Sequence, residues 1–332
     1  MKIGIIGLGR VYNHYRNNFI NLLLKEGHQI YIYDKEIYIN NDDRLNQVYS
    51  LDQLIKQKIT FSIVSSISGT HFEISKKLLN CGIHVLTEKP PVMKESELIK
   101  LIELSKKNSL KYGVIFQNRL NPSMKIAKEL MLYKYLGVIN ICSIRLHWCR
   151  YQNYYEDDWH GTWKNDGGVI NQQAIHHVDS MQWINGPFSS VSASASNQLN
   201  KLEAEDTMLC LVNYKNGSVG TIEATTAIRP KDSEASIFIS GSKGHIKIGG
   251  IALNKIIDLN IPNIDCELKT RILQSSQEVE NGYGNSHKDV IVDFINSIKT
   301  NKEPLITAKS TLQTVRSIHA IYKSVETGQW IN

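Results

Sequence analysis

Lys2-Ile-Gly-Ile-Ile-Gly-Leu-Gly9-Arg10 opens the chain and decides how the rest is read. Ile3–Ile6 has the length and apolar content of a buried strand, and it runs straight into a glycine turn. Gly7 and Gly9 allow that turn to be tight and let backbone approach a pyrophosphate closely. Arg10 and Val11 then start a helix whose unpaired N–H groups and positive dipole end suit an anion. The third position of the glycine fingerprint is Tyr12 instead of Gly or Ala, so the motif by itself is incomplete. The context restores it: a helix over residues 10–25 closed by Gly27, then a strand over Gln29–Tyr33 ending in Asp34. Asp34 is either a solvated strand-end carboxylate or the acceptor for both adenosine ribose hydroxyls. In the second role it repels a 2′-phosphate, and NAD is expected over NADP.

Outward from this turn the rhythm continues. Residues 59–65 read as a strand, 70–81 as a helix closed by Gly82, 84–87 as a strand, 95–108 as a helix and 111–117 as a strand. Short apolar strands alternating with helices predict a parallel, doubly wound α/β sheet. Ligands of such sheets lie beyond the carboxyl ends of the strands. Ser66 and His71, in the run after the strand at 59–65, are therefore expected to line the cofactor crevice. His71 reads equally well as an ordinary helix-start histidine. Glu88 and Lys89, in His84-Val-Leu-Thr-Glu-Lys-Pro-Pro91, are delivered to the same edge, and a lysine fixed there can touch a bound substrate.

From Asn121 the pattern changes to α+β. Alternating stretches at 190–197, 207–214, 218–226, 235–240 and 245–248 predict an antiparallel sheet, with Lys215-Asn-Gly-Ser218 as a hairpin turn. Two helices, near 286–300 and 308–327, close the chain. The expected division is a dinucleotide-binding domain at 1–118 and an α+β substrate and oligomerisation domain at 119–332, with the closing helix able to pack back on the first.

Asp166-Gly-Gly to Asp179 opens a helix expected to run to Ile184, stopped by Gly186-Pro187. At about 100° per residue, Ile170, Ala174, Val178, Met181 and Ile184 form a core stripe that also takes in His177. Gln172, His176, Asp179 and Trp183 fall on the other side. Solvent is the ordinary reading of such a face, but the large aromatic Trp183 argues that something covers it, which makes it a candidate pocket wall.

Composition removes other classes. A chain of 332 residues with 42% apolar content can bury two cores. The net charge of +6 comes without a basic block or aromatic-basic stripe, so a nucleic acid partner is not expected. Five widely spaced cysteines without a CxxC fit a reducing, cytoplasmic setting and neither a disulfide frame nor a zinc site. No apolar run reaches the roughly 18 residues of a membrane span, and no metal-ligand spacing is present.

On Gly7-Leu-Gly9, Glu88-Lys-Pro90, the run Asp166-Gly-Gly to His176-His-Val-Asp179 and the closing Ile321-Tyr-Lys-Ser-Val-Glu-Thr-Gly328, the chain resembles the Gfo/Idh/MocA family of NAD(P)-dependent sugar oxidoreductases over essentially its full length. Gln117-Asn-Arg119, Trp148 to Arg150, Tyr154-Tyr155, Trp159-His-Gly-Thr-Trp163 and Gln173-Ala-Ile-His176 are most similar to the nucleotide-sugar 3-dehydrogenases of that family. The resemblance implies Lys89 and His176 as the catalytic pair. It also implies a C-terminal sheet of eight or nine strands whose open face forms homodimers or homotetramers. The expected substrate is a nucleotide sugar, with Asn118, Arg119, Arg150, Tyr155, Trp163, Gln172 and Asp179 around it; Arg119 and Arg150 read either as phosphate partners or as structural ion pairs. Two departures stand out. Gln172 replaces the aspartate that many members place four residues before the histidine, and His160 replaces an arginine, which points to a neutral sugar instead of a uronate. The same fold also serves free-sugar or inositol dehydrogenases, NAD-dependent glycosidases and non-catalytic NAD-binding regulators, and the last is disfavoured by the presence of both Lys89 and His176.

Overall fold

The computed structural model describes residues 1–36, 42–262 and 264–332. In chain order its elements are β1 (Lys2–Ile6), α1 (Arg10–Tyr15), α2 (Asn21–Lys25), β2 (Gln29–Tyr33), β3 (Asn46–Gln47), α3 (Leu51–Lys56), β4 (Phe61–Val64), α4 (His71–Asn80), β5 (His84–Thr87), α5 (Glu95–Lys107), β6 (Tyr112–Val114) and α6 (Pro122–Leu132). They continue with β7 (Ile139–His147), α7 (Val169–Gln172), α8 (Ile175–Asn185), β8 (Phe188–Ser196), β9 (Thr207–Tyr214), β10 (Val219–Thr225), β11 (Glu234–Gly241), β12 (Gly244–Gly249), β13 (Lys255–Asn260), α9 (Cys266–Gln274), α10 (His287–Thr300) and α11 (Ala308–Thr327). Residues 1–116 and 287–312 form one compact unit, and residues 117–286 and 313–332 form the other.

The first unit holds a parallel six-stranded sheet in the order β3-β2-β1-β4-β5-β6. The order reverses between β1 and β4, and this switch point opens the crevice in which such sheets take their ligands. All residues of β4 are buried, as expected of a strand covered on both faces. The helical run from Arg10 to Lys25 is continuous, with a π-helical stretch at Arg16–Ile20 between α1 and α2. Part of the cover comes from the far end of the chain: Phe294 of α10 packs its ring edge-on against Phe61, 5.4 Å between centroids.

The second unit holds a seven-stranded sheet in the order β13-β12-β11-β7-β10-β9-β8. It is antiparallel except where β10 runs parallel to β7. The expectation of eight or nine strands is corrected to seven among the described residues. One face is apolar and closed: Cys142, Ile144, Leu146, Met208, Cys210, Val212, Ile222, Ala224, Ile237 and Ile239 are each at most 4% exposed. The opposite face carries Ile141, Leu209, Leu211 and Val219 in the open, beside the ion pairs Arg145–Glu223 and Lys247–Glu234. No helix among the described residues is long and apolar enough to cross a membrane.

Candidate active site

In the first unit the glycine turn behaves as its sequence demands. Gly7 has φ +93°, and a Cβ there would sit 2.3 Å from the backbone nitrogen of Ser66 and 2.5 Å from the Ser65 carbonyl oxygen. Only glycine lets the turns after β1 and β4 meet this closely. Ser65 fastens them, donating its hydroxyl to the Gly7 and Ile6 carbonyls at 2.9 and 3.1 Å. Above Gly9 the space is open: a Cβ would meet nothing within 4 Å. Asp34 accepts the Leu8 N–H on Oδ2 at 2.6 Å and the Glu36 N–H on Oδ1 at 3.0 Å. Its carboxylate thus stiffens the glycine turn and keeps lone pairs for further donors. Arg10 is exposed, Val11 and Ser66 are half-buried, and the Ser66 hydroxyl meets that of Thr70 at 2.8 Å. A close-approach turn, an open helix start and a strand-end carboxylate together fit a dinucleotide.

Two residues expected at the cofactor are occupied within the protein. His71 is buried, with Nδ1 2.8 Å from the Pro90 carbonyl oxygen and Nε2 2.9 Å from that of Ser66. Burial lowers its pKa, and the two carbonyls pull it back up. The imidazole ties the turn after β4 to the Lys89-Pro90 loop. Glu88 is buried as well. One carboxylate oxygen accepts the Tyr15 hydroxyl, and the other accepts the Lys89 backbone N–H at 3.2 Å. Burial raises the Glu88 pKa, opposed by the Tyr15 hydrogen bond and the Lys89 charge. Lys89 itself is half-buried at the end of this anchored loop.

In the second unit the expected single helix is broken into α7 and α8 at Gln173-Ala174. The start of α7 is built from groups the sequence reading did not single out. Gly168 N–H donates to the Tyr322 hydroxyl at 3.0 Å, Val169 N–H to the Glu205 carbonyl at 3.0 Å and Ile170 N–H to Glu205 Oε1 at 3.1 Å. Donors that helix starts leave orphaned are satisfied here by residues distant in sequence. The two glycines divide the work: Gly167 takes φ +71°, and a Cβ on Gly168 would lie 1.8 Å from Glu205 Oε2. Burial pushes the Glu205 carboxyl up to about 7. The signal was the Gly-Gly pair, which calls for a close neighbour without saying which.

The core stripe is as expected, with Ile170, Ala174, Val178, Met181 and Ile184 at most 3% exposed. His177 joins it without a hydrogen bond. Neither ring nitrogen finds a partner, and burial drives its pKa down to about 3. The face opposite is mostly closed by protein. Asp179 is gripped by Arg119 through two bonds of 2.7 and 2.5 Å and by Thr314 at 2.8 Å. The Lys128 ammonium lies 5.6 Å from the centre of the Trp183 ring, which accounts for the covered aromatic. Gln172 is buried and His176 half-buried.

The expected substrate contacts divide in the same way. Arg119 and Asp179 are at most 5% exposed and pair with each other, as the structural ion-pair reading of Arg119 has it. Arg150 pairs with Asp232 at 3.1 Å and lies over the Trp148 ring. Tyr155 is buried with its hydroxyl 2.7 Å from that of Thr226. Asn118 is buried with its Oδ1 lacking a hydrogen bond, and Trp163 is 52% exposed with its ring edge-on to Tyr322. His160 is spent on Asp157 at 2.5 Å and stacks on Trp159. Among the described residues, no group of three or more His, Cys, Asp or Glu is placed to hold a metal ion.

Comparison with known proteins agrees with this layout. A family model described as an oxidoreductase family, NAD-binding Rossmann fold, matches residues 1–116, and another described as an oxidoreductase family, C-terminal alpha/beta domain, matches residues 128–332. The WlbA dehydrogenase from Chromobacterium violaceum, solved in complex with NADH and UDP-GlcNAcA, is 25% identical with a TM-score of 0.89, covering 100% of this chain and 95% of that one. The Bordetella pertussis WlbA dehydrogenase, in complex with the same two molecules, is 25% identical with a TM-score of 0.88, covering 100% and 97%. The myo-inositol 2-dehydrogenase of Thermotoga maritima is 22% identical over 98% of this chain and 96% of its own length. An uncharacterised oxidoreductase of Synechocystis is 24% identical over 65% of this chain, which spans 61% of that protein's length.

Proposed function

The chain belongs to the Gfo/Idh/MocA oxidoreductase family, and on that premise we propose that it uses NAD to oxidise a secondary ring hydroxyl, at C3, of a UDP-linked amino sugar to the ketone. The setting proposed is cytoplasmic synthesis of an amino sugar or a surface polysaccharide. The carrying observation is the full-length likeness, at 25% identity, to two dehydrogenases that bind NADH together with UDP-GlcNAcA. His176 takes the hydroxyl proton as general base. Lys89 hydrogen-bonds the same oxygen and stabilises its developing negative charge. Bound NAD supplies the hydride acceptor. Gln172 has no carboxylate to relay the proton onward, so it leaves His176 by another path. His160, already engaged by Asp157, offers no planar fork to a sugar carboxylate, which favours a neutral sugar over a uronate.

The test follows NADH formation with NAD and a panel of UDP-N-acetylglucosamine, UDP-N-acetylglucosaminuronate, free sugars and inositols. Quenched single turnovers are included, because a tightly held cofactor recycled by a keto acid releases no NADH. Turnover confined to the UDP-sugars is expected, with Lys89→Ala and His176→Ala each losing at least about 100-fold in kcat while NAD affinity stays within threefold. Either variant keeping most of its turnover sinks the assignment. The Thermotoga maritima likeness supports a second reading, a free polyol as substrate, and turnover of inositol without the diphosphate would establish it.

A further inference from the structure

Glu88 is held within the protein, and its surroundings suggest a further role. Its carboxylate is buried among Tyr15 of α1, the Lys89 backbone and His287, the first residue of α10. His287 is 2% exposed, and its Nε2 lies 3.7 Å from Glu88 Oε1, an ion-pair separation. Its ring stands 4.9 Å from that of His14, edge-on, and 5.8 Å from that of Tyr15. His14 is half-buried and meets the exposed Asn18 side chain at 3.1 Å. A row of titratable groups thus leads from solvent through His14 and His287 to the carboxylate that holds the Lys89 backbone.

We infer that His287 is a positioning residue for Lys89: through Glu88 it fixes the place and the electrostatic surroundings of the lysine loop, with His14 linking the cluster to solvent. This rests on the reading of Lys89 as catalytic. A buried carboxylate without a cationic neighbour takes up a proton, and a protonated Glu88 can no longer accept from both Tyr15 and the Lys89 N–H with full charge. An imidazolium at His287, 3.7 Å away, adds to the Lys89 charge and the Tyr15 hydrogen bond in favouring the ionised carboxylate and the loop drawn in. A neutral imidazole loosens both. Among the described residues, Tyr15 and His14 from α1 and Lys89 from the loop itself face the pair, while Lys288 and Asp289 beside His287 are exposed.

Two variants separate this from a packing role. His287→Phe removes the charge and the donor; His287→Gln keeps a donor near Nε2 and removes the charge with its titration. In the full-length protein saturated with NADH and labelled with 15N-lysine, the Lys89 amide resonance, assigned by its loss in Lys89→Arg, is expected to move with a pH titration that vanishes in both variants. With the UDP-sugar that the wild type turns over, His287→Phe is expected to lower kcat at least tenfold with KM and NADH affinity within threefold. His287→Gln, which keeps the donor without the charge, should recover part of that kcat and flatten one limb of the pH–rate profile. A Lys89 amide titration that survives in both variants overturns the inference. So does an equal loss of kcat, NADH affinity and melting temperature in both. If the wild type turns over no UDP-sugar, the proposed substrate fails, and the amide titration alone decides the role of His287.

Discussion

At the residue scale, two buried titratable groups set opposing demands on pH. His177 sits in the core of the second unit with its pKa driven down to about 3 by burial. The unfolded chain binds a proton there that the folded chain refuses, so stability is lost as pH falls below about 6.5. Glu205 runs the other way. Burial holds it up to about 7, the folded carboxyl keeps its proton where the unfolded one has released it, and stability is lost as pH rises from about 4.5 through 7. Between pH 7 and 4.5 the two contributions are each on the order of 2–3 kcal/mol and nearly cancel. Single variants should expose them. Urea unfolding of His177→Phe is expected to gain about 2–3 kcal/mol on going from pH 7 to 4.5 relative to wild type, and Glu205→Gln to lose a similar amount over the same interval. Parallel pH dependences in all three proteins would remove both assignments. The phenyl ring is chosen because His177 already packs edge-on against Trp148, 6.4 Å between ring centres.

At the element scale, the same chain of local rules that made most strands legible failed where partners come from far away. The strands Gln29–Tyr33, His84–Thr87 and Thr207–Tyr214 fall where their apolar patterns put them. The strand β7, central to its sheet, alternates Cys142, Ile144 and Leu146 inward with Ser143, Arg145 and His147 outward, and the outward charges find their cross-strand partners Glu223 and Glu234 about 80 residues on, beyond the reach of local pattern. The helix carrying His176 was legible as a helix; its break was not, since nothing local in Gln173-Ala174 forbids helix. Periodicity put Asp179 on the correct face but could not tell that Arg119 would close that face. The pair is a test of element packing. Asp179→Ala should cost about 3–5 kcal/mol in unfolding free energy by leaving a buried guanidinium uncompensated, whereas Arg119→Met with Asp179→Leu should recover most of it. Had the pair been a substrate contact, the double variant would lose sugar affinity along with the charges. A KM within a few-fold of wild type in a stable double variant is the expected outcome.

At the scale of the whole molecule, the open face of the seven-stranded sheet is the largest feature that the chain leaves unexplained within itself. Leu209 and Leu211 on β9 are 54% and 55% exposed, Val219 on β10 is 48% and Ile141 on β7 is 40%. On this face Val219 stands beside Ile141, while Leu211 and Leu209 stand opposite Thr221 and Glu223. A run of exposed aliphatic side chains on adjacent strands, flanked by Arg145–Glu223 and Lys247–Glu234, has the make-up of an interface with an apolar centre and a charged rim. Arg and Glu on one surface can also pair with their own copies across a two-fold axis, as a self-complementary contact requires. The expectation of a homodimer or homotetramer is therefore tested at this face. Light scattering after size exclusion should give a mass of two or four chains for the wild type. Leu209→Glu with Leu211→Glu should give a folded monomer, since these substitutions touch neither the closed face of the sheet nor the helices carrying His176. A wild-type protein that runs as a monomer at tens of micromolar, or a double variant that keeps the wild-type mass, would remove the sheet face as the site of assembly.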